Sequence, residues 1–175
     1  QEEPEKSICV DFCSSKLLYR LKFGGGKSEL IAKATGMNKI DNPLIIDATA
    51  GMGQDAFVMA SLGANVIMVE RSKIIHALLQ NAIELANKHE RVSKVTEKLT
   101  LVNDDSIKYI NGLSFNPDII YLDPMFPSKK KSASVKKEMA FLQNVIGKDN
   151  DSDNLLNIAI EKSKRRVVVK RPIQS

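Results

Sequence analysis

From Pro43 onward the chain alternates short unbroken apolar runs with longer stretches whose apolar residues recur every three or four positions. Leu44-Ile45-Ile46 has no polar interruption, the pattern of a strand covered on both faces. Asn65 to Val69 predicts a second buried strand, and Leu99 to Val102, Ile119 to Leu122 and Val167-Val168-Val169 predict three more strands. Helical spacing lies between them, over Gln54 to Leu62, Ser72 to Asn87, Ser106 to Leu113, Ser134 to Val145 and Asn154 to Lys164, with a polar loop at Gly147 to Asp151. In the longest, Ser72 can cap the first turn while Ile75, Leu78, Leu79, Ala82, Leu85 and Ala86 form one apolar face. Upstream, Ile8 to Phe12 predicts a further short strand. The basic stretch Lys16 to Lys27 follows, with Gly24-Gly25-Gly26 as a hinge or a phosphate-gripping loop ahead of a helix over Glu29 to Thr35.

Strands that alternate with helices predict βαβ units: a Rossmann-like α/β fold with a mostly parallel, twisted sheet and helices on both faces. Residues 1–43 are expected to form an N-terminal strand, a Gly-rich basic segment and a helix, and residues 44–175 the core. In such sheets ligands bind beyond the C-terminal ends of the strands, where the strand order reverses. The residues following each strand are therefore read together as one site.

Composition narrows the picture. The 175 residues suit one domain, and 43% hydrophobic residues can build a core. No apolar run approaches the roughly 18 residues of a membrane span, and Gln1 to Lys6 is mostly charged and polar, unlike a secretory leader. Cys9 and Cys13 supply too few ligands for a zinc site, so reduced thiols in a cytoplasmic protein are expected, and no metal. The net charge of +5 points to a polyanionic partner. Its positive residues gather at Lys129-Lys130-Lys131, Lys136-Lys137, Lys164-Arg165-Arg166 and Lys170-Arg171, although each cluster taken singly also fits a solvated surface. The chain starts without methionine and stops soon after a core strand, so a fragment of something longer is expected.

The strand ends carry the candidate chemistry. After the first core strand stands Asp47-Ala48-Thr49-Ala50-Gly51-Met52-Gly53, the D-x3-G-x-G form typical of enzymes that bind S-adenosylmethionine (SAM). Gly51 and Gly53 permit a tight turn and a close approach of ligand to backbone, yet with Ala56 they also fit the dinucleotide fingerprint. Glu70 closes the second strand and can accept bonds from the hydroxyls of an adenosine ribose, present in SAM and in NAD alike. Asp104-Asp105-Ser106 ends the third strand, where a side-chain acceptor would border adenine; either aspartate serves equally as a helix cap.

The fourth strand ends in Asp123-Pro124-Met125-Phe126-Pro127, close to the [DNS]-P-P-[YFW] tetrapeptide of methyltransferases acting on amines conjugated to a base. Such a nitrogen is a poor nucleophile because its lone pair is delocalised. The Asp123 carboxylate and Pro124 carbonyl, by accepting its N–H bonds, would aim a pyramidal nitrogen at the methyl group, and Phe126 would stack on the base. Asp123, Pro124 and Phe126 are thus the candidate catalytic residues. Lys129, Lys130, Lys131, Lys136, Lys137, Lys170 and Arg171 are the candidate RNA contacts beside them. On the residues alone a DNA adenine-N6 methyltransferase, an NAD-dependent dehydrogenase and a non-catalytic RNA-binding module remain open.

The segments DATAGMGQDAFVMASLGANVIMVER, YLDPMFPSKKKSASVKKEM and RVVVKRP, together with KFGGGK, resemble the ribosomal RNA small subunit methyltransferase J family over about Glu3 to Pro172. The resemblance implies a class I SAM-dependent methyltransferase that modifies the N2 amine of a guanine in bacterial 16S rRNA, in the small ribosomal subunit. Carried over by position, the family's cofactor contacts fall on Gln54, Asp55, Glu70, Arg71, Asp105, Ser106 and Asp123, beside the Asp47, Gly51 and Gly53 turn. The family often has Arg at the position of Gln54 and a small residue at that of Asp105, which leaves those two side-chain contacts open. Family members also carry an N-terminal segment and a last strand pair that are not visible in this sequence.

Overall fold

The computed structural model describes residues 8–24, 26, 29–124 and 152–171. Its strands are β1 (Leu44–Asp47), β2 (Asn65–Val69), β3 (Leu99–Val102), β4 (Ile119–Leu122) and β5 (Arg166–Val169). They form one sheet in the order β3-β2-β1-β4-β5, every neighbouring pair parallel. The helices are α1 (Ser15–Phe23), α2 (Leu30–Thr35), α3 (Gln54–Ser61), α4 (Lys73–Ala86), α5 (Glu90–Thr96), α6 (Ser106–Asn111) and α7 (Ser152–Lys162). No helix among the described residues is long and apolar enough to cross a membrane.

Alternation along the strands explains the layers. Ile45, Val66, Met68, Ile119 and Tyr121 point to one face, where they meet α3, α4, α5 and the N-terminal segment. Ile46, Val69, Ile120 and Leu122 point to the other, against α6 and α7. All four residues of β4 are buried. That is why the central strands read as continuous apolar runs rather than alternating ones. The helix α4 begins as expected, the Ser72 hydroxyl accepting from the Ile75 amide at 3.4 Å. Its buried face is Ile75, Leu79, Ala82, Ile83 and Ala86, while Leu85 of the expected face is 54% exposed.

Three local expectations change. Ile8 to Phe12 does not join the sheet; Phe12 instead stacks on Phe57 of α3, ring centroids 5.0 Å apart. The basic stretch after it, for which the sequence predicts no regular structure, contains α1, tied to the start of α2 by the Arg20–Glu29 ion pair. The short helix α5 holds Val92 and Val95 against α3 in a region that carried no strong periodic signal. The helix expected over Ser134 to Val145 lies outside the described residues.

The basic cluster at 164–166 is partly structural. Arg166 donates from Nη1 to the Ala34 carbonyl at 2.8 Å, capping the end of α2, and Arg165 faces Asp118 at 3.5 Å.

Gly53 is where the sheet, α4 and the N-terminal segment press together. Its φ of +70° is left-handed, and a Cβ there would lie 2.7 Å from Leu79 and 3.1 Å from the Phe12 ring. Gly53→Ala therefore meets backbone strain and overpacking at once. It should lower unfolding free energy by about 2–4 kcal/mol, read as a lower urea midpoint with unchanged slope.

Candidate active site

The strand order reverses at β1: β2 and β3 lie on one side of it, β4 and β5 on the other. The chain leaving β1 turns this into a crevice. The Ala48 amide still donates to β4, at the Tyr121 carbonyl (3.0 Å), whereas the Ala50 amide donates to β2, at the Val69 carbonyl (3.3 Å). Within three residues the backbone thus crosses from one neighbour to the other and then enters the turn of Gly51 and Gly53, both at positive φ. That is the switch point of a doubly wound sheet, where ligands are received.

Glu70, 5% exposed, closes the β2 side. Its carboxylate accepts from the Gly51 amide at 3.1 Å and from the Ser72 amide at 2.7 Å, so it shapes the glycine turn. Arg71, next in the chain, is exposed. The Asn103 amide group donates to the Glu70 carbonyl at 2.8 Å and binds the ends of β2 and β3 together. Asp105 caps α6, accepting from the Lys108 amide at 3.0 Å, while Asp104 pairs with the Lys108 ammonium at 3.1 Å. The Ser106 hydroxyl donates to the Ala48 carbonyl at 2.6 Å, bringing the start of α6 onto the exit of β1. Gln54 is exposed at the start of α3, beside the half-buried Asp55.

Asp123 stands on the other side of the crevice. Its amide donates to the Thr49 hydroxyl at 2.6 Å, which stitches the Asp-Pro loop to the loop that precedes the glycines. The Asp-Pro loop and the glycine turn therefore share the C-terminal edge of the sheet. The described part of that loop ends at Pro124; Phe126 and Lys129, Lys130, Lys131, Lys136 and Lys137 lie outside the described residues.

An ionic cluster fills the space between β4, β5 and α3. The Lys170 ammonium lies 2.6 Å from Asp55 Oδ2 and 2.8 Å from Asp123 Oδ2, and the Tyr121 hydroxyl donates to that same Asp55 oxygen at 2.7 Å. Along the chain Lys170 belongs to the expected RNA-contacting rim; in the fold its charge is engaged by two carboxylates, while Arg171 is exposed. Period-two spacing was the available signal. Tyr121 pairs with Val168 across the β4–β5 ladder, so Asp123 and Lys170, each two residues further on, stand side by side on one face. Thr49, Asn103 and Tyr121 carry no signal in the sequence, since their roles consist of hydrogen bonds between elements far apart along the chain.

The electrostatics follow from burial. Asp47, 2% exposed, has its carboxyl pushed from the ordinary 3.8 up to about 7. Desolvation is the main cause, assisted by the like charges of Asp55 and Asp123 and opposed by the Thr49 amide and Lys170. Burial and the bond to Asp55 push the Tyr121 phenol far above its usual range, so it remains a donor. Burial works against the Lys170 charge, but its bonds to Asp123 and Asp55 outweigh this and raise its pKa. Arg20 of α1 is held charged chiefly by its bond to Glu29, with a smaller contribution from Asp55, which sets α1 along the rim of this cluster.

A cationic nucleoside suits this edge. Asp55 and Asp123 outnumber the single ammonium between them, Glu70 borders the glycine turn, and a Cβ on Gly51 would meet nothing nearer than the Thr49 carbonyl at 3.8 Å. Among the described residues no group of His, Cys, Asp and Glu could hold a metal ion.

Residues 1–175 match the model of a family described as "Putative SAM-dependent methyltransferase". The chain is 49% identical to the ribosomal RNA small subunit methyltransferase J of Hydrogenovibrio crunogenus over 168 residues, 94% of this chain and 60% of that protein. It is 46% identical to its namesake from Shewanella sediminis over 174 residues, 98% of this chain and 67% of that protein. The crystal structure of a SAM-dependent methyltransferase from Neisseria gonorrhoeae is similar with a TM-score of 0.75 and 35% identity, over 98% of this chain and 66% of that one. This chain thus spans about two thirds of the length of the proteins it matches, 60% of the first.

Raised by burial, the Asp47 carboxyl favours the folded state below its unfolded value near 4, and that contribution is lost as pH rises through about 7. Asp47→Asn keeps an oxygen for the Thr49 amide and removes the titration. Relative to the variant, the ligand-free wild type should lose on the order of 4 kcal/mol between about pH 4 and pH 8, measured by urea unfolding. Parallel pH profiles would show that Asp47 is not desolvated in solution.

Proposed function

This chain belongs to the ribosomal RNA small subunit methyltransferase J family of SAM-dependent methyltransferases, and on that premise we propose that it transfers a methyl group from SAM to the exocyclic N2 amine of a guanine in 16S rRNA. The observation that carries the reading is the seam at the switch point, where the Thr49 hydroxyl holds the Asp123 loop against the strand exit that leads into Gly51 and Gly53. A cofactor side and an acceptor side are built from adjoining loops.

Asp47, Gly51, Gly53, Gln54, Asp55, Glu70, Arg71, Asp105, Ser106 and Asp123 are the residues assigned to SAM. Glu70 would take the ribose hydroxyls with the carboxylate that also orders the Gly51 amide, and Ser106 and Asp105 would border the base. When bound, SAM supplies a methyl group on a positively charged sulfur. The protein's task is then positioning. The Asp123 carboxylate and the Pro124 carbonyl accept the amine's N–H bonds, which turns the nitrogen lone pair out of conjugation and toward the methyl. As the N–C bond forms and the C–S bond breaks, the nitrogen becomes acidic, and Asp123, with its side chain 38% exposed, can take the proton and release it to water. Phe126 is assigned to the face of the base, and Lys129, Lys130, Lys131, Lys136, Lys137 and Arg171 to phosphates. Small ribosomal subunits as the substrate would place the protein in the cytoplasm.

A loop of this type serves adenine N6 as well, so the base is tested directly. With labelled SAM and small ribosomal subunits, label should appear on guanine; label on adenine alone, or its transfer to duplex DNA in preference to subunits, would refute the proposal. Asp123→Ala should abolish turnover and leave SAM affinity within about tenfold, or ~1.4 kcal/mol. If about five of the named lysines contact phosphates, log affinity for RNA should fall against log salt with a slope of about −3 to −4. A flat response would return those lysines to plain surface.

A further inference from the structure

We infer that Lys170 is a positioning residue for methyl transfer: its ammonium, fixed between Asp55 and Asp123, keeps the Asp123 carboxylate aimed at the acceptor amine. The inference rests on the reading of Asp123 given above. It replaces the role in phosphate binding that the sequence assigned to this lysine.

Register and face make the arrangement independent of chance side-chain placement. Tyr121 and Val168 are partners in the β4–β5 ladder, as are Leu122 and Val169, and the Lys170 amide continues the ladder by donating to the Leu122 carbonyl at 2.8 Å. Asp123 and Lys170 occupy the next rung, and their side chains leave the sheet on the α3 side, as neighbours in a sheet must. There Asp55, in the first turn of α3, meets the same ammonium at 2.6 Å, and the Tyr121 hydroxyl holds the oxygen of Asp55 that Lys170 uses. One cation thus joins a residue assigned to the cofactor with the residue assigned to the acceptor.

The cluster needs this charge. Among the described residues, the titratable groups around Asp123 are Asp47 on β1, Asp55 on α3, Tyr121 on β4 and Lys170 beyond β5, with Arg20 of α1 reaching Asp55. Two of these are carboxyls, and Arg20 is bonded to Glu29. Without the Lys170 ammonium between them, the Asp55 and Asp123 carboxylates would repel each other and the Asp123 oxygens would turn out of place. A displaced carboxylate no longer accepts the amine's N–H bonds along the line that aims its lone pair at the methyl.

The test compares Lys170→Met, Lys170→Gln and Lys170→Arg with the wild-type chain on small ribosomal subunits, with circular dichroism verifying that each folds. Lys170→Met should reduce kcat at pH 7 by about tenfold or more while leaving the SAM Kd and the KM for RNA within about threefold. Lys170→Gln, which keeps donors but no charge, should show the same loss of kcat, and Lys170→Arg should restore most of the rate. Several results would overturn the inference: a wild-type kcat in Lys170→Met, full recovery by Lys170→Gln, or no recovery by a folded Lys170→Arg. A raised KM for RNA and a salt slope smaller by about one, with kcat unchanged, would also overturn it and return Lys170 to phosphate contact. Should the wild type itself transfer no methyl, the functional reading fails rather than the role of Lys170 within it.

Discussion

The site depends on how the chain leaves β1. A strand in the middle of a parallel sheet owes hydrogen bonds to both neighbours, and at its C-terminal end those neighbours lead in opposite directions. Ala48 remains bonded to β4 and Ala50 to β2, so the backbone between them straddles the sheet. Thr49 sits at the crossing and uses its hydroxyl to take the Asp123 amide. The crevice and the two loops that wall it follow from this division of hydrogen bonds. The left-handed turn of Gly51 and Gly53 is the consequence of steering the chain sharply into α3 straight afterwards.

That steering has to be supported from beneath. Gly53 is buried against Leu79 and Phe12, and Phe12 in turn stacks on Phe57, so the segment before α1 is a wedge under the turn and not a sixth strand. Val10, Phe12, Leu17, Ala32 and Met37 share one hydrophobic cluster with the core helices. Above the turn the balance is electrostatic. Carboxyls gather because several strands end at the same edge with the same side-chain parity, and burial makes their mutual repulsion expensive. Asp47 responds by holding its proton to about pH 7; Asp55 and Asp123 respond by sharing the Lys170 ammonium. A surface with this surplus of acceptors suits a cationic cofactor, and a neutral amine that must lose a proton.

Much of this was legible in one dimension. Parallel strands covered on both faces need near-continuous apolar runs, which mark β1, β2 and β4. The edge strands β3 and β5 are more exposed, yet all five lie within about a residue of the predicted spans, and Ser72 and Gly53 mark where helices begin. The shorter and less regular pieces did not. Ile8 to Phe12 has the composition of a strand, but its apolar side chains are used singly, as a wedge. The helix α5 is short and rich in β-branched residues, whose intrinsic preference is not helical, and it exists because α3 and α4 give Val92 and Val95 something to cover.

By itself the sequence determined which residues arrive at the ends of the strands: Asp47 and the glycines, Glu70, Asp105 and Ser106, Asp123 and Pro124. Order along the chain and periodicity are local properties, and they suffice for that. Only the tertiary structure decided which of them become neighbours, because adjacency across a sheet is set by strand order and register, between residues as far apart in sequence as Asp55 and Lys170. Lys170 shows the difference. Counted along the chain it belongs to a basic cluster facing solvent; in the fold, one rung of the β4–β5 ladder sets it beside Asp123, and Coulomb attraction does the rest.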